Sequence, residues 1–282
     1  MATRQSDLSA KSWNKQKAVE RRVAANLQTL TNHVARIAKK HNTLEEITAA
    51  IAALTESPSW EKYAFSQAVQ MVKMISVENA RTWREAARRG QNSYKIYQAL
   101  KAEITHNAAF VRIIKSNADL IGSLPDDVAR HVTKHAATQA VKGLRAESFI
   151  SHIKKAAPQL SNSIVQLIAR TETAKTQAAI TQVRAQQVGI QYYVWRTAED
   201  QRVRSSHKHM NGVICQYSSP PSPEALKGEE NVGYYGPGEI WNCRCYAEPV
   251  IDPEYLPNSV KVVKGGQMVR MTRKQFEQIS GQ

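Results

Sequence analysis

From about Ser12 to Gly189 apolar residues recur at every third or fourth position, which restricts this stretch to amphipathic helices packed against one another. Val23, Leu27, Leu30, Val34 and Ile37 form one series, and Leu44, Ile47, Ile51 and Leu54 form the next. Ser57-Pro58 punctuates them, because the residue before a proline avoids helical backbone. Ser59 is then placed to cap a helix running through Tyr63, Val69, Val72 and Ile75 towards Gly90. Asn92-Ser93 opens a third, through Ile96, Leu100, Ile104 and Val111 to about Leu120. Gly122-Ser-Leu-Pro125 reads as a break, with Asp126 and Asp127 at the next N-terminus, where the helix dipole favours acids. Another helix follows to Lys155, and Pro158 starts a long one through Ile164, Leu167, Ile168, Ile180 and Val183 to Gly189.

At Gly189 the chain changes character. Gln191-Tyr-Tyr-Val-Trp-Arg-Thr197 alternates and is rich in aromatic and branched residues, so it reads as a strand. Ser218–Gly238 holds Pro220, Pro221, Pro223 and Pro237 and reads as loop. Tyr246–Ile251 and Val260–Val263 are short strands, Gly265-Gly266 is a tight turn into Met268–Met271, and Thr272-Arg-Lys-Gln275 has the form of a capping box for a terminal helix. The expected class is α+β, a mostly helical N-terminal region followed by a small α+β C-terminal domain.

Charge separates the two parts. The 282 residues carry a formal +15, of which residues 1–160 hold 25 Lys+Arg against 13 Asp+Glu, a net +12. Arg81, Arg84, Arg88 and Arg89 fall on roughly one helical face, and Lys11, Lys15, Arg22 and Arg36, Lys39, Lys40 form similar groups. Any one such face is ordinarily just a solvated one. Summed over 160 residues, the excess points to packaged DNA or an acidic protein surface, bound without sequence reading. No groove-reading motif, phosphate loop or stacking repeat accompanies it. Three cysteines make no disulfide framework, the N-terminus lacks the apolar core of a signal peptide, and no run approaches the roughly 20 apolar residues needed to span a bilayer. The expectation is a soluble chain from a reducing compartment.

All three cysteines fall in one segment with an aspartate and two histidines. Cys243, Cys245 and His207 or His209 give three zinc-type ligands, with Cys215 or Asp200 as a fourth. The bland alternative is that the cysteines are small buried hydrophobes and the histidines lie at the surface. Asp200 and His207 near Arg202, Arg204 and Asn211 could equally serve a nuclease or transferase, with His207 as general base and arginines on a phosphate. No second carboxylate or recognised nucleophile is placed to complete such a site, so the same residues read more simply as stitching for a loop-rich domain.

As a combined set the segment resembles the phage Mu F-like head morphogenesis family, the minor head proteins of tailed phages. Ala169-Arg170-Thr171-Glu172 matches the family's helical Ala-Arg-Thr-Glu. Trp195, Thr197, Asp200, Arg202, Val203, Arg204 and His207 match its Trp-x-Thr/Ser-x-x-Asp-x-Arg-Val-Arg-x-x-His. Asn211-Gly212 matches its short turn, and Trp241-Asn242-Cys243-Arg244-Cys245 its closing motif. Other branches resemble Cys-x-x-Cys … His-Pro-x-Cys-Arg-Cys, a fuller metal pattern; here Arg204 and His207 stand at the upstream positions and Ile240 where that His would be. The resemblance covers about residues 158–250 and implies a head morphogenesis domain over 158–252; charge and pattern give a basic helical region over 1–157 and a C-terminal hairpin and short helix over 253–282. It implies a structural rather than catalytic protein of the virion, met in the host cytoplasm during assembly. Its partners would be the portal, other capsid or scaffold proteins and double-stranded DNA held non-specifically, with no membrane and no small-molecule substrate. Trp195 and Trp241 are expected as core anchors. Asp200, His207, Cys243 and Cys245 are expected to organise the loops with or without zinc, alongside Arg170, Glu172, Arg202, Arg204, Gly212 and Asn242 of the motif.

Overall fold

The computed structural model describes residues 3–87, 93–102, 108–141 and 146–280. Six helices come first: α1 (Thr3–Lys40), α2 (Leu44–Ala52), α3 (Pro58–Ala87), α4 (Ser93–Ala102), α5 (Ala108–Val141) and α6 (Ala146–Gln187). Strands and short helices follow: β1 (Tyr192–Thr197), α7 (Ser205–Met210), β2 (Val213–Gln216), α8 (Pro223–Lys227), β3 (Cys245–Pro249), a 3-10 turn at Pro253–Tyr255, β4 (Ser259–Lys264), β5 (Gln267–Thr272) and α9 (Arg273–Ser280). The class is α+β, as the change of pattern at Gly189 requires.

The chain gathers into two compact units. One, Val19–Lys73 and Val111–Glu172, has only helices as regular elements among its described residues; the other holds Met1–Ala18, Met74–Phe110 and Thr173–Gln282. Four helices, α1, α3, α5 and α6, give residues to both. In the helical unit the periodic residues are the buried ones: Val23, Leu27, Leu30 and Val34 of α1, and Ile47 and Ile51 of α2. Thr43 caps α2 through a capping box, its hydroxyl accepting from the Glu46 amide while Glu46 accepts from the Thr43 amide.

One cap and two breaks expected from local rules fall differently. Pro58 itself is the first residue of α3, the favoured place for a proline because its missing N–H is not needed there, and Ser57 rather than Ser59 stands at the cap position. Pro125 does not end a helix; α5 runs through it. Buried Ile121, Leu124, Val128 and Val132 line one face across the proline, and the carbonyl of Gly122 accepts from the Trp60 indole at 3.0 Å. Pro158 likewise lies inside the 42-residue α6, spanned by buried Ile153, Ala157, Ser161 and Val165. Packing on both sides of each proline outweighs the roughly 3 kcal/mol local penalty. The boundary expected between residues 157 and 158 therefore falls inside a helix.

α6 stops where expected. Gly189 has φ +80°, and the Ile190 amide reaches back to the Ala185 carbonyl at 2.8 Å while the Gly189 amide reaches that of Gln186. The chain then enters a mixed five-stranded sheet of order β3-β1-β2-β4-β5, antiparallel except for the parallel pair β2–β4. The hairpin and helix expected over 253–282 form as β4, β5 and α9, and β4 extends the same sheet. Gly265 and Gly266, both at positive φ, make the two-residue turn between Lys264 and Gln267.

Alternation along β1 divides the core in two. Val194 and Ile214 face Val250, Leu256, Val260, Val262 and Phe276, closing the sheet against α9. Tyr193, Trp195, Val213 and Cys215 face the other way, towards Met210, Tyr235, Ile240, Cys243 and Cys245. That second face carries the site.

A buried histidine and two thiols as a candidate metal centre

Three elements bring the donors together. His207 lies in α7, Cys245 opens β3, and Cys243 sits in the turn just before it, after Asn242 at φ +54°. All three are at most 2% exposed, and their donor atoms lie within 4.8 Å of one another. His207 Nδ1 is 3.6 Å from the sulfur of Cys243 and 3.3 Å from that of Cys245. The Gly238 amide donates to Cys243 Sγ at 3.3 Å. The two thiols share one environment unequally: a hydrogen bond from Cys245 holds Cys243 well below the ordinary thiol value, whereas burial pushes Cys245 well above it.

The far edge of the imidazole is fixed too. Tyr235 donates its hydroxyl proton to Glu224, with oxygens 2.7 and 2.8 Å away, and Ser206 donates to the same carboxylate at 3.0 Å. His207 Nε2 is 3.0 Å from the Tyr235 oxygen. Because the tyrosine proton is spent on Glu224, Nε2 must be the donor in that contact. The tautomer that makes this contact leaves Nδ1 as the acceptor, facing the two sulfurs. Burial first, and then the hydrogen bond to Glu224, raises the Tyr235 hydroxyl far above its usual range, so it stays a donor. Trp195, fully buried, packs edge-on to His207 with ring centroids 5.4 Å apart.

The other candidate ligands are placed elsewhere. His209 is exposed on α7. Cys215 lies beside Tyr193 with its thiol pushed up to about 12 by burial. Asp200 turns its own loop, accepting from the Arg202 amide at 3.0 Å and pairing with Arg244 at 2.5 Å. Gly212, at φ +81°, donates its amide to the Trp195 carbonyl at 2.8 Å, and Asn211 accepts from the Thr197 amide. These contacts tie the turn to β1.

Trp241 is not a core anchor. It is 60% exposed, with the Arg204 guanidinium 5.5 Å from its ring centroid and donating to its carbonyl at 3.0 Å. The left-handed backbone at Asn242 breaks the alternation that would have turned Trp241 to the side of Cys243. Arg202 is exposed. Arg170 and Glu172 belong to the helical unit, where Arg170 pairs with Glu20 at 3.1 Å. Of the arginine cluster on α3, Arg81 and Arg84 are exposed and Arg81 pairs with Glu85; Arg88 and Arg89 lie outside the described residues. Glu224, Tyr235 and Ser206 carry no sequence motif of their own. Only the Ser222-Pro223 start of α8, with Ser222 accepting from the Ala225 amide, marks their neighbourhood as ordered. Among the described residues no helix is long and apolar enough to cross a membrane.

Residues 130–248 match the sequence family described as Phage Mu protein F like protein. An uncharacterized protein of Haemophilus influenzae (strain ATCC 51907 / DSM 11121 / KW20 / Rd) is 31% identical over 159 residues, covering 56% of this chain and 32% of that protein. The chain thus spans about a third of the length of that curated relative. No solved structure matches it.

Proposed function

We propose, from the match of residues 130–248 to the phage Mu protein F like family, that this chain serves as a minor head protein during tailed-phage assembly. The matched family is one of phage head morphogenesis, which supports capsid-related partners and association with the virion. The finer reading is association with the portal and the head interior, with contact to packaged DNA. In that reading residues 1–157 carry the basic surface, 158–252 form the head morphogenesis domain, and 253–282 complete its sheet.

The observation that carries this reading is the burial of the motif. Trp195, His207, Cys243 and Cys245 are buried together, and Asp200 is held by Arg244. Residues so enclosed organise a domain; they do not meet a substrate. A nuclease or transferase reading would need Asp200 and His207 to face a common open cleft. Instead His207 faces two sulfurs and Tyr235, so the geometry favours the structural role. The basic faces, including exposed Arg22, Arg36, Lys39, Lys40, Arg81 and Arg84, supply the charge for a polyanion or an acidic portal surface.

Quantitative mass spectrometry of DNase-treated, gradient-purified particles tests the reading. A few copies per portal ring are expected, and absence from both procapsids and virions overturns it. DNA contact is tested separately: affinity should fall steeply between low and physiological salt, and a salt-insensitive affinity removes DNA from the partners.

A further inference from the structure

We propose that His207, Cys243 and Cys245 bind one structural zinc ion, held in place by Tyr235 and Glu224 acting on the far side of the imidazole. This does not rest on the head-assembly reading.

The first support is metric. Zinc sits about 2.3 Å from thiolate sulfur and about 2.05 Å from imidazole nitrogen in a tetrahedron, so its sulfur and nitrogen ligands stand about 3.6 Å apart. The observed sulfur-to-Nδ1 separations are 3.6 and 3.3 Å, so each of these two pairs matches zinc's requirement to within a few tenths of an ångström, and all three donors lie within 4.8 Å of one another. Two ligands come from the compact Cys243-Arg-Cys245 turn and the third from a helix anchored independently of it.

The second support is the state of the ligating atoms. Metal-binding imidazoles donate their other N–H to a fixed acceptor, which sets the tautomer and aims the lone pair. The chain Glu224–Tyr235–His207 does this with buried groups at 2.7 to 3.0 Å. The amide of Gly238 donates to Cys243, as backbone amides do to ligating sulfur. Three protein donors leave zinc's fourth position for a light donor such as water. With every ligand at most 2% exposed, no substrate can reach that position, which makes the ion structural.

The test uses the full chain, purified reduced and stripped of metal with a chelator. Titration with zinc should saturate at one equivalent. Cobalt(II) should give thiolate charge-transfer absorption, and X-ray absorption on the zinc form should report two sulfurs, one imidazole nitrogen and one light atom. Cys215→Ala, which alters the thiol outside the cluster, should retain the full equivalent. Tyr235→Phe keeps the ring but removes the acceptor for Nε2–H, and should weaken zinc binding by roughly 10- to 100-fold. If the folded, reduced chain takes up no saturable zinc, the site is overturned. It is equally overturned if uptake survives in Cys243→Ala/Cys245→Ala. Unchanged affinity in Tyr235→Phe overturns the positioning role of the tyrosine and glutamate.

Discussion

Arg184 of α6 donates to the side-chain oxygen of Asn79 on α3 at 2.5 Å, a guanidinium only 2% exposed held by a neutral amide. The same guanidinium reaches the carbonyl and hydroxyl of Ser76, and Asn79 in turn donates to Thr181 at 2.6 Å. Replacing Arg184 with Met keeps the apolar stem but leaves buried acceptors unpaired. The expected loss is about 2–3 kcal/mol, read from the urea midpoint. Lysine should not restore it, because one ammonium cannot reproduce the planar fork.

The two tryptophans of the motif should respond very differently. Trp195→Ala empties the centre of the sheet's inner face and should cost about 3–5 kcal/mol. Trp241→Ala removes an exposed ring that touches the Arg204 guanidinium, and should cost about 0.5–1 kcal/mol. Paired denaturation curves check the contrast. Equal losses would mean that Trp241 is buried.

Gly238 is a position where the backbone requires glycine. Its φ is +95°, and a Cβ there would stand 3.1 Å from the Ala174 carbonyl and 3.4 Å from the Ala178 side chain. Gly238→Ala should lower stability by at least about 1–3 kcal/mol from backbone strain alone. At Gly212, also at positive φ, nothing lies within 4 Å, so alanine there should cost only the backbone term. Thermal melts of the two variants should rank in that order.

The capping box of α2 gives a pH-dependent prediction. Thr43→Ala should cost about 1 kcal/mol in the denaturant midpoint. The amides of Asn42 and then Thr43 hold the Glu46 carboxyl below its ordinary value. A group whose folded value is depressed stabilises fully above the unfolded value and loses that contribution as pH falls through the folded one. The stability difference between wild type and Glu46→Gln should therefore be present near neutral pH and shrink as the pH falls below about 4. A difference that grows on acidification would contradict the cap.

The helical part was legible because its buried residues recur with the helix period, and Gly189 marks its end through a left-handed turn. β1, the β4–β5 hairpin and the Thr272–Gln275 cap were legible for the same local reasons. β2 was not: four residues, Val213-Ile-Cys-Gln216, are too few for a period, and its parallel partner β4 is set by distant register. Pro125 and Pro158 misled because their cost is local, whereas the burial that outweighs it comes from neighbouring helices. In the site, His207, Cys243 and Cys245 could be picked by chemistry. Glu224 and Tyr235 could not, because in a Pro- and Gly-rich loop nothing local tells a buried acid from a solvated one. Trp241 looked like core by residue type alone, and one left-handed residue after it decided otherwise.

The interleaving of the two units has a consequence for synthesis. The helical unit takes its last residue at Glu172, so every one of its segments has been translated before the ribosome reaches β1. The sheet-bearing unit needs β4, β5 and α9, which are made later than every segment of the helical unit. The early segment Met74–Phe110 must therefore wait for Thr181, Arg184, Ala185 and Ile190, about a hundred residues further along the chain. A ribosome stalled within the sheet would display a finished helical unit beside the unpaired remainder of the other.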